Sequence, residues 1–392
     1  MVLTISDSGG NFDDTATWVE GVVPTDLDDV IATATSGNLT VNVYSYCRTL
    51  DFTNYVSTLT VNNTLEVGYF SEDPTFTIFI IFVSAMTITT SGGTPVLSLA
   101  HSFLGLYSIT SNSKVWPYTI NVPSSLDITL VDNFTILGGL TLYNNVVING
   151  FTLTIGGGFF NTNECAGTTN LVMNGTGTWS GGGITRNNLT INIAGTITIS
   201  GPVGYIDGTL TYTAGTILQI SDPQIFFGTS TFNIAGITWQ KLSVFDNNTT
   251  LTINSYLTAI SFLNNQYINV TLAGAFGCSF SNLIITTAAD DNSATFTLQQ
   301  GNTYTVTNSF RLIHGFNGIT EFFGTIRSSS LTLTAALNYT GTDQYQTCVY
   351  FNATRINSSG GNNIKFWRGT MTSTTNWSDI SLGKGGAFTF LN

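Results

Sequence analysis

The stretch LTINIAGTITIS, residues 189–200, alternates apolar and polar side chains on both sides of Ala194-Gly195. A period of two sends successive side chains to opposite faces of an extended strand, and β-branched threonine suits the outer face. The tetrapeptide NIAG begins at Asn192 and again at Asn233, a separation that fits two coils of roughly 20 residues each. The same alternation recurs in LTVNV from Leu39, STLTV from Ser57, LTLYN from Leu140, FTLTIGG from Phe151, LTYT from Leu210, LTINS from Leu251, INVTLAG from Ile268 and LTLT from Leu331. No convincing helical stripe appears. Tight Asn-Gly or Asp-Gly hairpin turns are sparse. Asn-Asn pairs recur instead, at 62–63, 144–145, 187–188, 247–248, 264–265 and 362–363, and asparagine tolerates the left-handed backbone of a sharp bend. The pattern predicts an all-β chain: a right-handed parallel β-helix, a solenoid with irregular coils of roughly 20 residues and capped ends.

Such a stack has a first and a last edge to cover. The stretch WVEGVVPTDLDDV, residues 18–30, suits the first edge. Trp18 offers a large apolar lid, Gly21 and Pro24 turn the chain, and Asp28 and Asp29 discourage another molecule from stacking there. The chain therefore divides into an N-terminal cap or attachment segment at 1–30, a β-helix body at 31–345 and a C-terminal cap or oligomerisation segment at 346–392. A calcium site at Asp26, Asp28 and Asp29 is the alternative for the same acids. That run lacks the Asp-x-Asp-x-Asp-Gly and distal Glu of a calcium loop, and no resident metal or cofactor is expected. At the other end, GKGGAFTFLN finishes on Phe388, Phe390 and Leu391, apolar strand residues that need a partner. The expected partner is a second copy of the chain, most simply in a trimer.

Composition narrows the function. Charged residues are 8% of the chain and the net charge is −12, which argues against nucleic acid and its demand for a basic track. The longest apolar run, FTIFIIFVSAMTI from Phe76, is shorter than the roughly 20 residues of a membrane span and reads as buried strand. The first residues lack the basic start and apolar core of a signal peptide, so synthesis in a cytoplasm is expected. Cys47, Cys165, Cys278 and Cys348 have no CxxC spacing and read as buried thiols.

Chemistry-bearing patterns are sparse. A glycosidase needs two carboxylates about a scissile bond, and Asp290, Asp291 and Glu321 qualify by residue type. His101 and His314 stand far apart with no nucleophile motif beside them. Glycan binding asks for aromatic faces among amides and hydroxyls, and the local clusters are WSGGGITRNN from Trp179 and IKFWRGTMTSTTNWSD from Ile364, with Trp367 and Trp377. Asn-x-Ser/Thr triplets at Asn38, Asn62, Asn188, Asn269, Asn338 and Asn376 arise from a strand protein rich in Thr and Asn.

The order W-x-x-G-x-x-P-x-x-x-D-D-V, at Trp18, Gly21, Pro24, Asp28, Asp29 and Val30, resembles the opening of β-helical surface and virion proteins. The late stretch VYFNATRINSSGGNNIKFW, residues 349–367, resembles closing segments of tail-associated phage structural proteins. The resemblance implies a fold and a virion or surface setting. The expectation is a structural virion protein of tail-fibre, tail-spike or capsid-surface type. It would contact other virion proteins and host surface glycans, without nucleic acid or membrane insertion. A polysaccharide-degrading enzyme on the same fold and a cell-surface adhesin are the alternatives.

Overall fold

The computed structural model describes residues 1–68, 77–93, 95–99, 106–122, 127–142, 146–147, 151–161, 164–166, 170–180, 184–185, 188–206, 208–227, 229–234, 236–244, 249–264, 269–286, 295–313, 324–341, 346–349, 351–366 and 371–379. The chain divides into two compact units, Met1–Pro223 and Gln224–Asn392.

In the first unit, each early coil contributes three short strands. Thr49–Asp51, Thr58–Val61 and Leu65–Val67 form one such coil. One sheet stacks Val2–Thr4, Asp29–Ile31, Thr49–Asp51, Thr77–Ile81, Leu106–Thr110 and Asp127–Leu130. A second stacks Gly10–Asn11, Leu39–Val41, Thr58–Val61 and Thr87–Thr89. A third runs from Ser45–Cys47 through Leu65–Val67, Val96–Leu99, Thr119–Val122 and Leu140–Leu142 to Phe159–Asn161. In the second unit, Ser230–Asn233, Thr249–Ile253, Val270–Gly274, Thr295–Leu298, Gly324–Ser328 and Phe351–Thr354 pair in succession. Paired strands are parallel in each of these stacks, as a parallel β-helix requires.

The period-two reading holds through most of this body. Leu39 and Val41 are fully buried with Thr40 between them facing outward, and Leu153 and Ile155 repeat the arrangement around Thr154. In the apolar run, Ile78 and Ile80 point in while Phe79 is 44% exposed, so this strand is half-buried. Inside the coils aromatic rings stack between layers, Phe52 on Phe82 at 6.4 Å and Phe82 on Trp116 at 5.5 Å. Several buried tyrosines bond their hydroxyls to the backbone. The Tyr55 hydroxyl accepts from the Leu39 N–H at 3.1 Å and reaches the Gly37 and Thr58 carbonyls, and Tyr339 donates to Asn308 O. Layers come closest where glycines stack: a Cβ on Gly157 would lie 2.6 Å from Gly138 C, a contact no other residue type tolerates.

Four Asn-x-Thr triplets turn out to be structural, whereas the side-chain oxygen of Asn338 is buried without a partner. Asn38, Asn133, Asn188 and Asn269 each accept a hydrogen bond from the backbone N–H of a threonine one coil on, at Thr58, Thr152, Thr209 and Thr295. The residue after each asparagine, Leu39, Phe134, Leu189 or Val270, is buried. The triplet thus encodes a bond to the next coil, a core residue and an outward hydroxyl. A ladder of amides runs beside it, Asn62 donating to Asn42 and Asn42 to Asn11, each at 2.8 Å.

Two expectations need correction. Asn62–Asn63 and Asn362–Asn363 lie at bends, but none of the four has a positive φ; among the described non-glycine residues that backbone occurs at Asn112, Ser113, Arg355, Ser373 and Asn376. The paired asparagines hold their bends through side chains, Asn63 accepting from Thr64 N and Asn362 donating to Gly341 O. The other pairs lie wholly or partly outside the described residues. LTLT at 331–334 is no strand: Leu331 is 85% exposed and the segment is a run of bends. The Ser330 hydroxyl accepts from the N–H groups of Thr332 and Leu333, so a serine turn outcompetes extended backbone.

Candidate functional site

Strand Val2–Thr4 is the first rung of its sheet, and its inner groups pair with Asp29–Ile31. Its outer groups meet residues 17–20. Thr4 N–H donates to the Glu20 carboxylate at 2.8 Å, Val19 N–H donates to Thr4 O at 2.9 Å, and Ser6 N–H donates to Thr17 O at 2.8 Å. The same segment crosses the next sheet's first rung, where the Thr17 hydroxyl donates to Asn11 O at 2.6 Å. Trp18 is buried edge-on against Phe12, centroids 5.1 Å apart, and its Nε1–H donates to Phe12 O at 3.0 Å. Gly21, with φ +67°, then reverses the chain toward buried Pro24, a backbone that favours glycine.

The acids beyond that turn are engaged by the chain itself. Asp28 Oδ2 accepts from Thr25 N–H and Oγ1–H, and Oδ1 lies 2.8 Å from the Met1 amino group. Asp29 receives both arms of Arg48 and, at 2.7 Å, the Thr49 hydroxyl. Burial alone would raise the Asp29 carboxyl, but hydrogen bonds from Arg48 and Thr49 and the Arg48 charge outweigh it and hold the group below the usual carboxylate range. Asp26 is exposed at the turn. Among the described residues no three acidic, histidine or cysteine side chains gather as a metal-ion group. Cys47, Cys278 and Cys348 are buried free thiols, and burial pushes each upward.

The third sheet begins differently. Ser45 and Cys47 turn their backbone groups toward Leu65–Val67, shown by Ser45 N to Thr64 O at 3.0 Å and Gly68 N to Cys47 O at 2.9 Å. In a parallel ladder alternate residues address opposite neighbours, so the backbone of Tyr46 faces the outer side. Among the described strands, only Leu65–Val67 pairs with this rung. Tyr46 is 41% and Tyr44 52% exposed, their rings 6.4 Å apart and inclined by 55°. Glu66 stands beside Tyr46 in register, and Tyr44 donates its hydroxyl to it. Burial first, then that bond to Glu66, pushes the Tyr44 hydroxyl up to about 12, so it stays a donor at neutral pH.

Of the tryptophans singled out from the sequence, Trp179 is 1% exposed and belongs to the core, its ring turned from solvent by the register of Thr178 and Ser180 on either side. Trp377 is half-buried, its ring edge-on to Phe310 at 6.5 Å. Trp367, Phe388, Phe390 and Leu391 lie outside the described residues, as do His101, His314, Asp290, Asp291 and Glu321. The tyrosine pair was missed, although V-Y-S-Y-C with an inward Cys47 already places both tyrosines outward. No helix among the described residues is long and apolar enough to cross a membrane. Comparison with protein-family models, curated proteins and solved structures finds no match.

Proposed function

We propose that this chain is a structural protein of a virion surface, of tail-fibre, tail-spike or capsid-surface type, that presents an attachment surface for host glycans and self-associates, most simply as a trimer. The observation that carries the proposal is the body itself: parallel coils with hydroxyl and amide side chains facing outward, closed at the first rungs of two sheets by residues 17–20. Such a scaffold resists unravelling and holds its outward residues on rigid backbone, which suits display. The sequence order from Trp18 to Val30 supports the virion setting by resemblance.

The test is immunogold labelling of purified particles with antibodies raised against the chain, with the purified chain incubated in parallel with host capsule or cell-wall glycans. Surface labelling, and binding without release of reducing ends, is the expected result. Unlabelled particles, or sustained release of reducing ends, would overturn the proposal. Sedimentation of the full chain and of a form lacking residues 386–392 tests assembly: a full-length protein already monomeric at micromolar concentration contradicts self-association.

A further inference from the structure

We infer that Tyr44, Tyr46 and Glu66 form a binding site for a neutral oligosaccharide; the inference rests on the attachment function proposed above and gives it a location and a ligand class. The two rings are open to solvent at the first rung of the third sheet, 6.4 Å apart and inclined by 55°. A tyrosyl ring offers an apolar face with a polar tip, the complement of a sugar, whose C–H face is apolar and whose rim carries hydroxyls. Glu66 lies in register with Tyr46 and takes the Tyr44 hydroxyl on Oε2, which fixes one ring and leaves Oε1 to accept from sugar hydroxyls. The column continues in register from Glu66 to Ser98 and, past Asn121, whose amide oxygen is buried, to Thr141, adding two hydroxyls along the line a chain of sugars would follow.

Charge sets the ligand class. A carboxylate at the centre of the site, in a chain of net charge −12, opposes uronic and sialic acids and favours uncharged hexoses and N-acetylhexosamines. Preorganisation favours binding too, because the buried Ser45 and Cys47 anchor the backbone that carries the rings and Glu66 holds the Tyr44 hydroxyl, so little backbone freedom is lost when a ligand lands.

Isothermal titration calorimetry on the full chain, with cello-, malto- and chitooligosaccharides as neutral probes and oligogalacturonate as the acidic one, tests the site in wild type, Tyr46→Ala and Glu66→Gln. One neutral series should bind, oligogalacturonate should not, and Tyr46→Ala should weaken binding by about tenfold or more while the thermal midpoint stays unchanged. Full binding in both variants would overturn the site and leave the attachment proposal standing. Binding of oligogalacturonate in place of the neutral probes overturns the ligand class. No binding by wild type to any probe overturns the site outright, and particle labelling then judges the attachment proposal separately.

Discussion

Strands Val2–Thr4 and Ser45–Cys47 each start a sheet, and the chain treats their outer edges in opposite ways. The first is closed over by Thr17, Val19 and Glu20, which answer its outward backbone groups one by one. The second presents the backbone and ring of Tyr46 with Tyr44 beside it. An exposed edge invites adventitious pairing, and the chain closes two of these edges with backbone and side-chain bonds from residues 17–20 while the third is lined with two exposed tyrosines. The difference teaches that an edge in this fold is closed by a local segment only where the chain can fold back across it, as residues 15–20 do after the turn at Asp14.

The comparison can be broken by substitution. Trp18→Ala removes a buried ring and orphans the Phe12 carbonyl, and chemical unfolding should show a loss of about 3–5 kcal/mol; a loss below about 1 kcal/mol would mean the ring is not a lid. Tyr55→Phe leaves the Leu39 N–H without its acceptor and should cost about 1–3 kcal/mol. It also carries a pH signature. Burial pushes the Tyr55 hydroxyl up to about 12, with the Leu39 bond opposing, whereas in the unfolded chain a tyrosine titrates near about 10. A raised folded value means its contribution is full below the unfolded value and is lost as pH rises to about 12, so the variant should show a shallower alkaline decline.

Asp29→Asn acts at the opposite end of the scale, with a cost of about 1 kcal/mol at neutral pH because the pair with Arg48 is partly exposed. The lowered carboxyl of Asp29 contributes stability that is present above the unfolded value of about 3.9 and fades as pH falls through the folded one. Acid titration of the variant should therefore be flatter than wild type, and identical acid limbs would remove Asp29 from the account. Tyr46→Ala is the smallest change: stability should stay within about 0.5 kcal/mol of wild type, because an exposed ring on an open rung packs against little.

Much of this was legible in the sequence, for physical reasons that also explain the gaps. Alternation at 39–43 and 189–200 marks strand because every second side chain must be buried, and Leu39, Leu189 and Ile191 are buried accordingly. The same alternation at 331–334 misleads, because Ser330 offers its backbone neighbours a local acceptor that a periodicity count does not weigh. Trp18, Gly21 and Pro24 announce a turn with a lid. The service of Glu20 to Thr4 depends on a fold-back that spacing alone does not encode. Asn38 and Asn188 read as chance sequons until the register supplies Thr58 and Thr209 as their donors. Trp179 looked like a ligand platform by composition, and its position within an inward–outward alternation sent it to the core instead.

The contrast between a closed and an open edge is tested most directly by residue-resolved amide hydrogen exchange on the full chain at neutral pH. The account predicts slow exchange at Thr4, Ser6 and Val19, whose N–H groups have acceptors across the fold-back, and fast exchange at Tyr46, whose N–H faces outward. Protection at Tyr46 equal to that at Thr4, or unprotected exchange at Thr4 and Ser6, would contradict it.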